Sequence, residues 1–155
     1  LLGFSMGAVI ALCAAGSDLR IRKLVLTGIG ASAVEQGGLS ASELDIERMA
    51  TWLEQDESDI SGSAADYVNY VKSRGLNKFA IAACARARRR TPDLAFEKMR
   101  MPALLLIGAE DDLAKRPEVL ATALPKAELH LLQGDHVTVL NNPDFLRLLK
   151  EFLAP

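Results

Sequence analysis

The chain opens with Leu1-Leu2-Gly3-Phe4-Ser5-Met6-Gly7-Ala8, and the expected fold follows from these eight residues. Two apolar residues typical of a strand end run into Gly-x-Ser-x-Gly, and a helical pattern of small residues follows at once. This layout is typical of a nucleophile elbow, a sharp strand-to-helix turn that holds a serine hydroxyl exposed for attack. Gly3 and Gly7 flank Ser5, and we expect a Cβ at either position to collide because strand and helix pack closely there.

Two later loops carry the acidic and basic side chains that an activated serine needs. An apolar run over 103–107 is followed by Gly108-Ala109-Glu110-Asp111-Asp112, and a run over 129–132 is followed by Gln133-Gly134-Asp135-His136. The chain order is therefore serine, carboxylate, histidine, and each of these residues follows a predicted strand. A histidine can take the proton of a serine hydroxyl, and a carboxylate can hold the imidazole in the required tautomer.

This arrangement resembles the α/β-hydrolase family, in which the triad has the order Ser, Asp, His. The resemblance covers nearly the whole chain, from the elbow to a closing helix predicted over 144–153. It implies an α/β fold made of the last strands of a mostly parallel sheet, flanked by helices, with a helical cap insertion. The implied domains are an α/β-hydrolase core over 1–33 and 99–155 and a cap over 34–98.

The resemblance also implies a role for individual residues. Ser5 is the expected nucleophile and His136 the expected base. In this family the acid comes three residues after the glycine that closes its strand, which selects Asp111, with the adjacent Asp112 as the alternative. Asp135 is poorly placed to hold His136 because side chains of adjacent residues diverge.

The backbone N–H of Met6, directly after the nucleophile, is the expected first donor of an oxyanion hole. In the resembled family the second donor comes from a loop that precedes the elbow. We therefore expect this sequence to be the C-terminal part of a longer chain, so the absence of an export signal carries no information. Because loss of one donor typically costs roughly 10²–10³ in rate, we expect weak or no turnover by this chain alone.

Helical patterns fill the predicted cap, and four helices are expected there, starting near residues 40, 63, 78 and 91. The cap is the expected source of specificity. Aromatic side chains on its helices are the candidate lining of an acyl pocket: Trp52, Tyr67, Tyr70 and Phe79.

A competing hypothesis comes from Gly28-Ile29-Gly30-Ala31-Ser32-Ala33, which follows a strand predicted over 21–27. The run imitates the Gly-x-Gly-x-x-Gly/Ala dinucleotide fingerprint, so Gly28 and Gly30 define a nucleotide-binding module as the alternative. The fingerprint also needs a helix that opens at its second glycine, and Gln36-Gly37-Gly38 interrupts such a helix.

Composition narrows the class of protein further. The chain has 155 residues, half of them hydrophobic, and a net charge of −2. Because this net charge is negative, we do not expect nucleic acid as a partner. No apolar run approaches the ~20 residues of a membrane span. We expect a cytoplasmic protein whose oligomeric state stays open.

The resemblance predicts a serine hydrolase that acts on a carboxylic ester or a related small-molecule acyl substrate. The predicted mechanism forms an acyl-enzyme on Ser5 and needs no metal or cofactor. The same triad serves thioesterases, lactonases and hydrolases of carbon–carbon bonds, which remain alternatives. A catalytically silent fragment is a further alternative.

Overall fold

The computed structural model describes residues 1–38, 46–55, 63–86 and 94–154. Its strands are β1 Leu2–Phe4, β2 Leu24–Thr27, β3 Ala103–Gly108 and β4 Ala127–Leu132. Its helices are α1 Met6–Ala15, α2 Ser32–Glu35, α3 Ile46–Gln55, α4 Ser63–Ser73, α5 Lys78–Arg86, α6 Pro117–Ala123 and α7 Pro143–Leu153, with 3₁₀ turns at Phe96–Lys98 and Thr138–Asn141. The chain divides into two compact units, Leu1–Ser40 with Arg90–Pro155, and Ala41–Arg89.

The first unit is built on a parallel sheet with the strand order β1-β2-β3-β4. Phe4 pairs with Thr27 and Gly108 pairs with Leu132, so the carboxyl ends of all the strands lie at one edge of the sheet. Every residue of β2 and β3 is buried, as expected for central parallel strands that are covered on both faces. The predicted α/β class with a parallel sheet is confirmed.

Successive residues of the central strands pack into two different apolar cores because side chains alternate across a sheet. Leu24, Leu26 and Leu105 face the core that includes residues of α1 and α6. Val25 and Leu104 face the core that includes residues of α7. The helices therefore cover both faces of the sheet.

Lys23, which directly precedes β2, also forms hydrogen bonds with the C-terminal end of α7. Lys23 Nζ donates to the carbonyl of Phe152 at 2.8 Å and to that of Ala154. These carbonyls belong to the last turn of α7, where an α-helix leaves its C=O groups without intrahelical donors and favours a cation.

The second unit consists of α3, α4 and α5 around a small apolar core. The core residues come from all three helices: Ala50, Leu53, Val68, Val71 and Ala82. Outside that core, Arg86 of α5 forms ion pairs with Glu47 and Glu54 of α3. Within the described residues, none of the helices combines the length and apolar character needed to span a bilayer.

The sequence-predicted elements agree with the structure at several boundaries and differ at others. Helix α7 begins one residue before the predicted closing helix over 144–153 and ends at the same residue, whereas β2 begins three residues later than the predicted strand over 21–27. Helix α2 was not predicted, and it belongs to the first unit. The predicted helix starts near residues 40 and 91 lie outside the described residues.

Candidate active site

Ser5 lies in the turn between β1 and α1 with φ 54° and ψ −122°. A positive φ is uncommon for a residue other than glycine, and such strained residues cluster at functional sites. The Ser5 N–H donates to the carbonyl of Thr27 at 2.9 Å, which holds the turn against the end of β2. The elbow predicted from the sequence is therefore present, with its serine just beyond the carboxyl end of a parallel strand.

The two glycines of the elbow have different roles. A Cβ on Gly3 would clash with the carbonyl oxygen of Gly7 and lie 2.6 Å from the Cα of Ala8. Only glycine fits there, as predicted. The prediction for Gly7 is wrong, because a Cβ on Gly7 would meet nothing within 4 Å among the described residues.

The His136 imidazole lies between Ser5 and Asp111. Its Nε2 is 2.9 Å from Ser5 Oγ, and its Nδ1 is 2.9 Å from Asp111 Oδ2. The Asp111 side chain is fully buried and the His136 side chain is 19% exposed. Three loops that are distant in sequence therefore meet at the carboxyl edge of the sheet.

The Asp111 carboxylate determines which nitrogen of His136 carries a proton. An ionised Asp111 can only accept, so Nδ1 of His136 carries the proton and donates it. In a neutral imidazole the other nitrogen is then an acceptor, so Nε2 accepts from the hydroxyl of Ser5. This arrangement leaves Nε2 ready to remove the Ser5 proton.

Backbone donors hold the Asp111 carboxylate in place. Its Oδ1 accepts from the N–H groups of Leu113 at 2.9 Å and Ala114 at 3.2 Å, which leaves Oδ2 for His136. The alternative acid, Asp112, has a side chain that is 89% exposed and is paired with Lys115. Between the two adjacent aspartates, the contact with His136 therefore belongs to Asp111.

Asp135 organises the loop that carries His136. Its carboxylate accepts from the N–H groups of Thr138 at 2.7 Å and Val137 at 2.9 Å, and from the Thr138 hydroxyl. Hydrogen bonds from Thr138, first from its backbone and then from its side chain, and one from Val137 lower the pKa of Asp135. This carboxylate is thus occupied in its own loop, in agreement with the argument that adjacent side chains diverge.

The acid loop and the histidine loop are joined by their backbones. The N–H of Ala109 donates to the carbonyl of Leu132 at 2.8 Å, and the N–H of Glu110 donates to the carbonyl of Gly134 at 3.1 Å. A Cβ on Gly108 would clash with the carbonyl oxygen of Gly134. The absence of a side chain at Gly108 therefore allows the two loops to approach closely.

Gly28 and Gly30 pack against these same loops. With φ +65°, Gly28 lies so close to His136 that an added Cβ would be 2.7 Å from its Cε1. A Cβ on Gly30 would clash with the carbonyl oxygen of Lys115. The helix that follows begins at Ser32 and has four residues. Packing accounts for both glycines, so the dinucleotide hypothesis loses the observation that motivated it.

The predicted oxyanion donor lies next to the nucleophile. Met6 is the first residue of α1, and the first N–H groups of an α-helix have no intrahelical acceptor. Its N–H is therefore suited to donate a hydrogen bond to an oxygen atom that develops negative charge beside Ser5.

The four aromatic residues proposed to line an acyl pocket belong to the second unit. Trp52 is partly buried against its apolar core, and Arg48 lies over the indole at 5.1 Å. Tyr67, Tyr70 and Phe79 are 40%, 52% and 60% exposed. Ser5, Asp111 and His136 belong to the first unit, and the role of the aromatic residues in substrate binding stays a prediction.

Sequence reasoning did not identify two neighbours of His136. The Phe4 ring lies against the imidazole, with the ring centroids 4.9 Å apart, and Gly28 lies against its Cε1. The available signal was position: Phe4 occupies the variable position before the elbow serine, and Gly28 directly follows the strand that pairs with β1.

Comparisons with solved structures identify the fold. The chain is similar to the enol-lactonase from Burkholderia xenovorans LB400, with 20% identity and a TM-score of 0.72 over 98% of this chain and 64% of that one. It is similar to MenH from S. aureus, with 19% identity and a TM-score of 0.70 over 99% of this chain and 66% of that one. A carboxylesterase structure from Nitrososphaera gargenis gives 19% identity and a TM-score of 0.67 over 98% and 63%.

The chain therefore has the α/β-hydrolase fold, as the resemblance of its motifs implied. It spans about two thirds of the length of these neighbours, 64% for the enol-lactonase. No protein-family model matches the sequence, and no curated protein matches it significantly.

Proposed function

We propose that the protein is a serine hydrolase that cleaves a carboxylic ester through an acyl-enzyme on Ser5. The observation that carries the proposal is the position of the His136 ring, 2.9 Å from both Ser5 Oγ and Asp111 Oδ2. A nucleophile, a base and an orienting carboxylate in hydrogen-bond contact are the constellation that acyl transfer requires.

In the first step, Ser5 Oγ attacks the carbonyl carbon while His136 Nε2 takes the hydroxyl proton. The carbonyl π electrons move to oxygen, and the Met6 N–H donates to the resulting oxyanion. Asp111 stabilises the imidazolium that forms, and it does so at no cost in reorganisation because Leu113 and Ala114 already hold its carboxylate.

In the second step, the bond to the leaving group breaks and Nε2–H protonates the departing alkoxide, leaving Ser5 acylated. Water then attacks the acyl carbon and gives its proton to Nε2. Collapse of the second tetrahedral intermediate breaks the bond to Ser5 Oγ, which recovers its proton from His136. The cycle consumes one water molecule and needs no metal or cofactor.

The class of acyl substrate is part of the proposal. The neighbours whose names state a hydrolytic activity include an enol-lactonase and carboxylesterases, and a lactone is a cyclic ester. This supports an ester ahead of a thioester or a carbon–carbon bond. Within the proposal, residues 34–98 form a cap, and Trp52, Tyr67, Tyr70 and Phe79 provide the apolar surface that binds the acyl chain.

A fluorophosphonate probe tests the proposal, because activated serines displace its fluoride and form a stable adduct. We expect one adduct, located on Ser5 by peptide mass spectrometry, and none in the Ser5→Ala variant. Ser17→Ala is the matched control, since Ser17 is an exposed serine that follows the C-terminus of α1, and it should keep the adduct. In the full-length protein, where the second oxyanion donor is expected, an unlabelled Ser5, or an adduct that persists in Ser5→Ala, would refute the hydrolase.

A further inference from the structure

We propose that Gly28 is a positioning residue for the triad. Because Gly28 has no side chain, it leaves the space in which the His136 ring lies between Ser5 and Asp111. The inference rests on the proposed function, because it assigns Gly28 to the machinery of that same site. Gly28 would act through His136 and would not touch the substrate.

The His136 ring is confined on several sides by described residues. Ser5 and Asp111 hold its two nitrogens, each at 2.9 Å, and the Phe4 ring packs against it. Gly28 occupies a further side, where an ideal Cβ would lie 2.7 Å from Cε1 and 3.2 Å from Nδ1 of the imidazole. The same Cβ would lie 3.0 Å from Cε2 of Phe4, so both rings limit the space.

Backbone conformation alone does not explain why position 28 needs glycine. Gly28 has φ +65° and Gly75 has φ +61°, so an alanine would be strained to a similar degree at either site. Around Gly75, however, an added Cβ would meet nothing within 4 Å among the described residues. The two glycines share the conformation and differ in the contact with His136.

An alanine at position 28 would displace the imidazole. Carbon atoms in van der Waals contact lie about 3.5–4.0 Å apart, so the ring would have to move by roughly 1 Å. That displacement would lengthen the bond to Ser5 or to Asp111, and a misplacement of about 1 Å can reduce a catalytic rate about 10²-fold.

The first test compares Gly28→Ala with Gly75→Ala in the full-length protein, because the 155-residue chain alone is expected to turn over weakly or not at all. We expect fluorophosphonate labelling of Ser5 to slow about 10²-fold in Gly28→Ala and to be unchanged in Gly75→Ala. The ring resonances of His136 should shift in the ¹H–¹⁵N spectrum of Gly28→Ala, while those of His130 in β4 stay in place. Equal labelling rates together with unshifted His136 resonances would overturn the proposal.

A double-mutant cycle tests the contact itself and does not depend on activity. Gly28→Ala should lower the unfolding midpoint, and it should lower it less in a His136→Ala background, because removing the ring makes room for the methyl group. The same loss in both backgrounds would overturn the proposal, and so would a Gly28→Ala chain that fails to fold in both. If the full-length wild-type protein does not label, the proposed hydrolase fails while the resonances and the cycle still decide the role of Gly28.

Discussion

The loops that hold Ser5, Asp111 and His136 contrast with the three helices of the second unit. In the loops, the Asp111 side chain is fully buried, and backbone hydrogen bonds fix its carboxylate and join its loop to that of His136. In the second unit, which has a small apolar core, Tyr67, Tyr70 and Phe79 are 40–60% exposed. The first region is organised for fixed geometry, so substitutions there should change chemistry. Substitutions in the second should change stability first.

The largest expected effect separates the two adjacent aspartates. Asp111→Asn should slow labelling of Ser5 by roughly 10⁴-fold, because the amide favours the wrong tautomer of His136. Asp112→Asn is the matched control and should leave the rate unchanged, since its side chain is 89% exposed. Pseudo-first-order labelling rates measure both effects. A large loss of rate in Asp112→Asn would show that the buried contact with His136 does not distinguish the two aspartates.

The next largest effect lies in the second unit. Leu53→Ala should reduce the free energy of unfolding by about 2–5 kcal/mol, because Leu53 is fully buried in the core of α3, α4 and α5. Leu76→Ala removes a side chain of the same size that is 45% exposed, and it should cost much less. Urea unfolding measures the difference, and equal costs would show that this small core does not stabilise the chain.

A smaller effect distinguishes the two glycines of the elbow. Gly3→Ala should cost about 1–3 kcal/mol of stability, because its Cβ would meet backbone atoms of α1 that cannot move aside. Gly7→Ala should leave stability equal or raise it by up to about 1 kcal/mol, because Gly7 is helical and open on that side. Thermal unfolding of the pair checks this, and a destabilised Gly7→Ala would restore the original symmetric prediction.

The smallest effect is a pH dependence of the loop that carries His136. Because hydrogen bonds lower the folded-state pKa of Asp135, its contribution to stability is present above the unfolded-state pKa, about 3.9, and is lost as pH falls through the folded-state value. Asp135→Asn should therefore be less stable than wild type at neutral pH, with the difference shrinking in acid. A difference that grows on acidification would contradict this sign.

The contacts among Ser5, Asp111 and His136 were predictable because their signals in the sequence are local. The elbow motif is contiguous around Ser5, and Asp111 and His136 each follow an apolar strand whose neighbours lie parallel to it, so all reach one edge. The resemblance to a known family then ordered the candidates. Helices with clear start signals were equally predictable, since α4 and α5 begin at Ser63 and Lys78, where helix starts were expected.

The remaining features depend on which loops meet, and hydrophobic periodicity carries no information about that. Gly28 follows a strand in both the dinucleotide fingerprint and this fold, and its contact with His136 could be seen only in the structure. Gly7 was misjudged because its carbonyl oxygen lies against Gly3, whereas its own Cβ position meets nothing within 4 Å among the described residues. Helix α2 was missed because four residues are too few to show a helical period.

The attachment of α7 to Lys23 affects how the chain end should respond to trimming. The outermost turn of a terminal helix ordinarily frays and offers its residues to exopeptidases. Here the ammonium group of Lys23 donates to the carbonyls of Phe152 and Ala154, so carboxypeptidase digestion of the 155-residue chain should stall near Ala154. Lys23→Met should let the enzyme advance into the helix, and the mass of the surviving product would record how far.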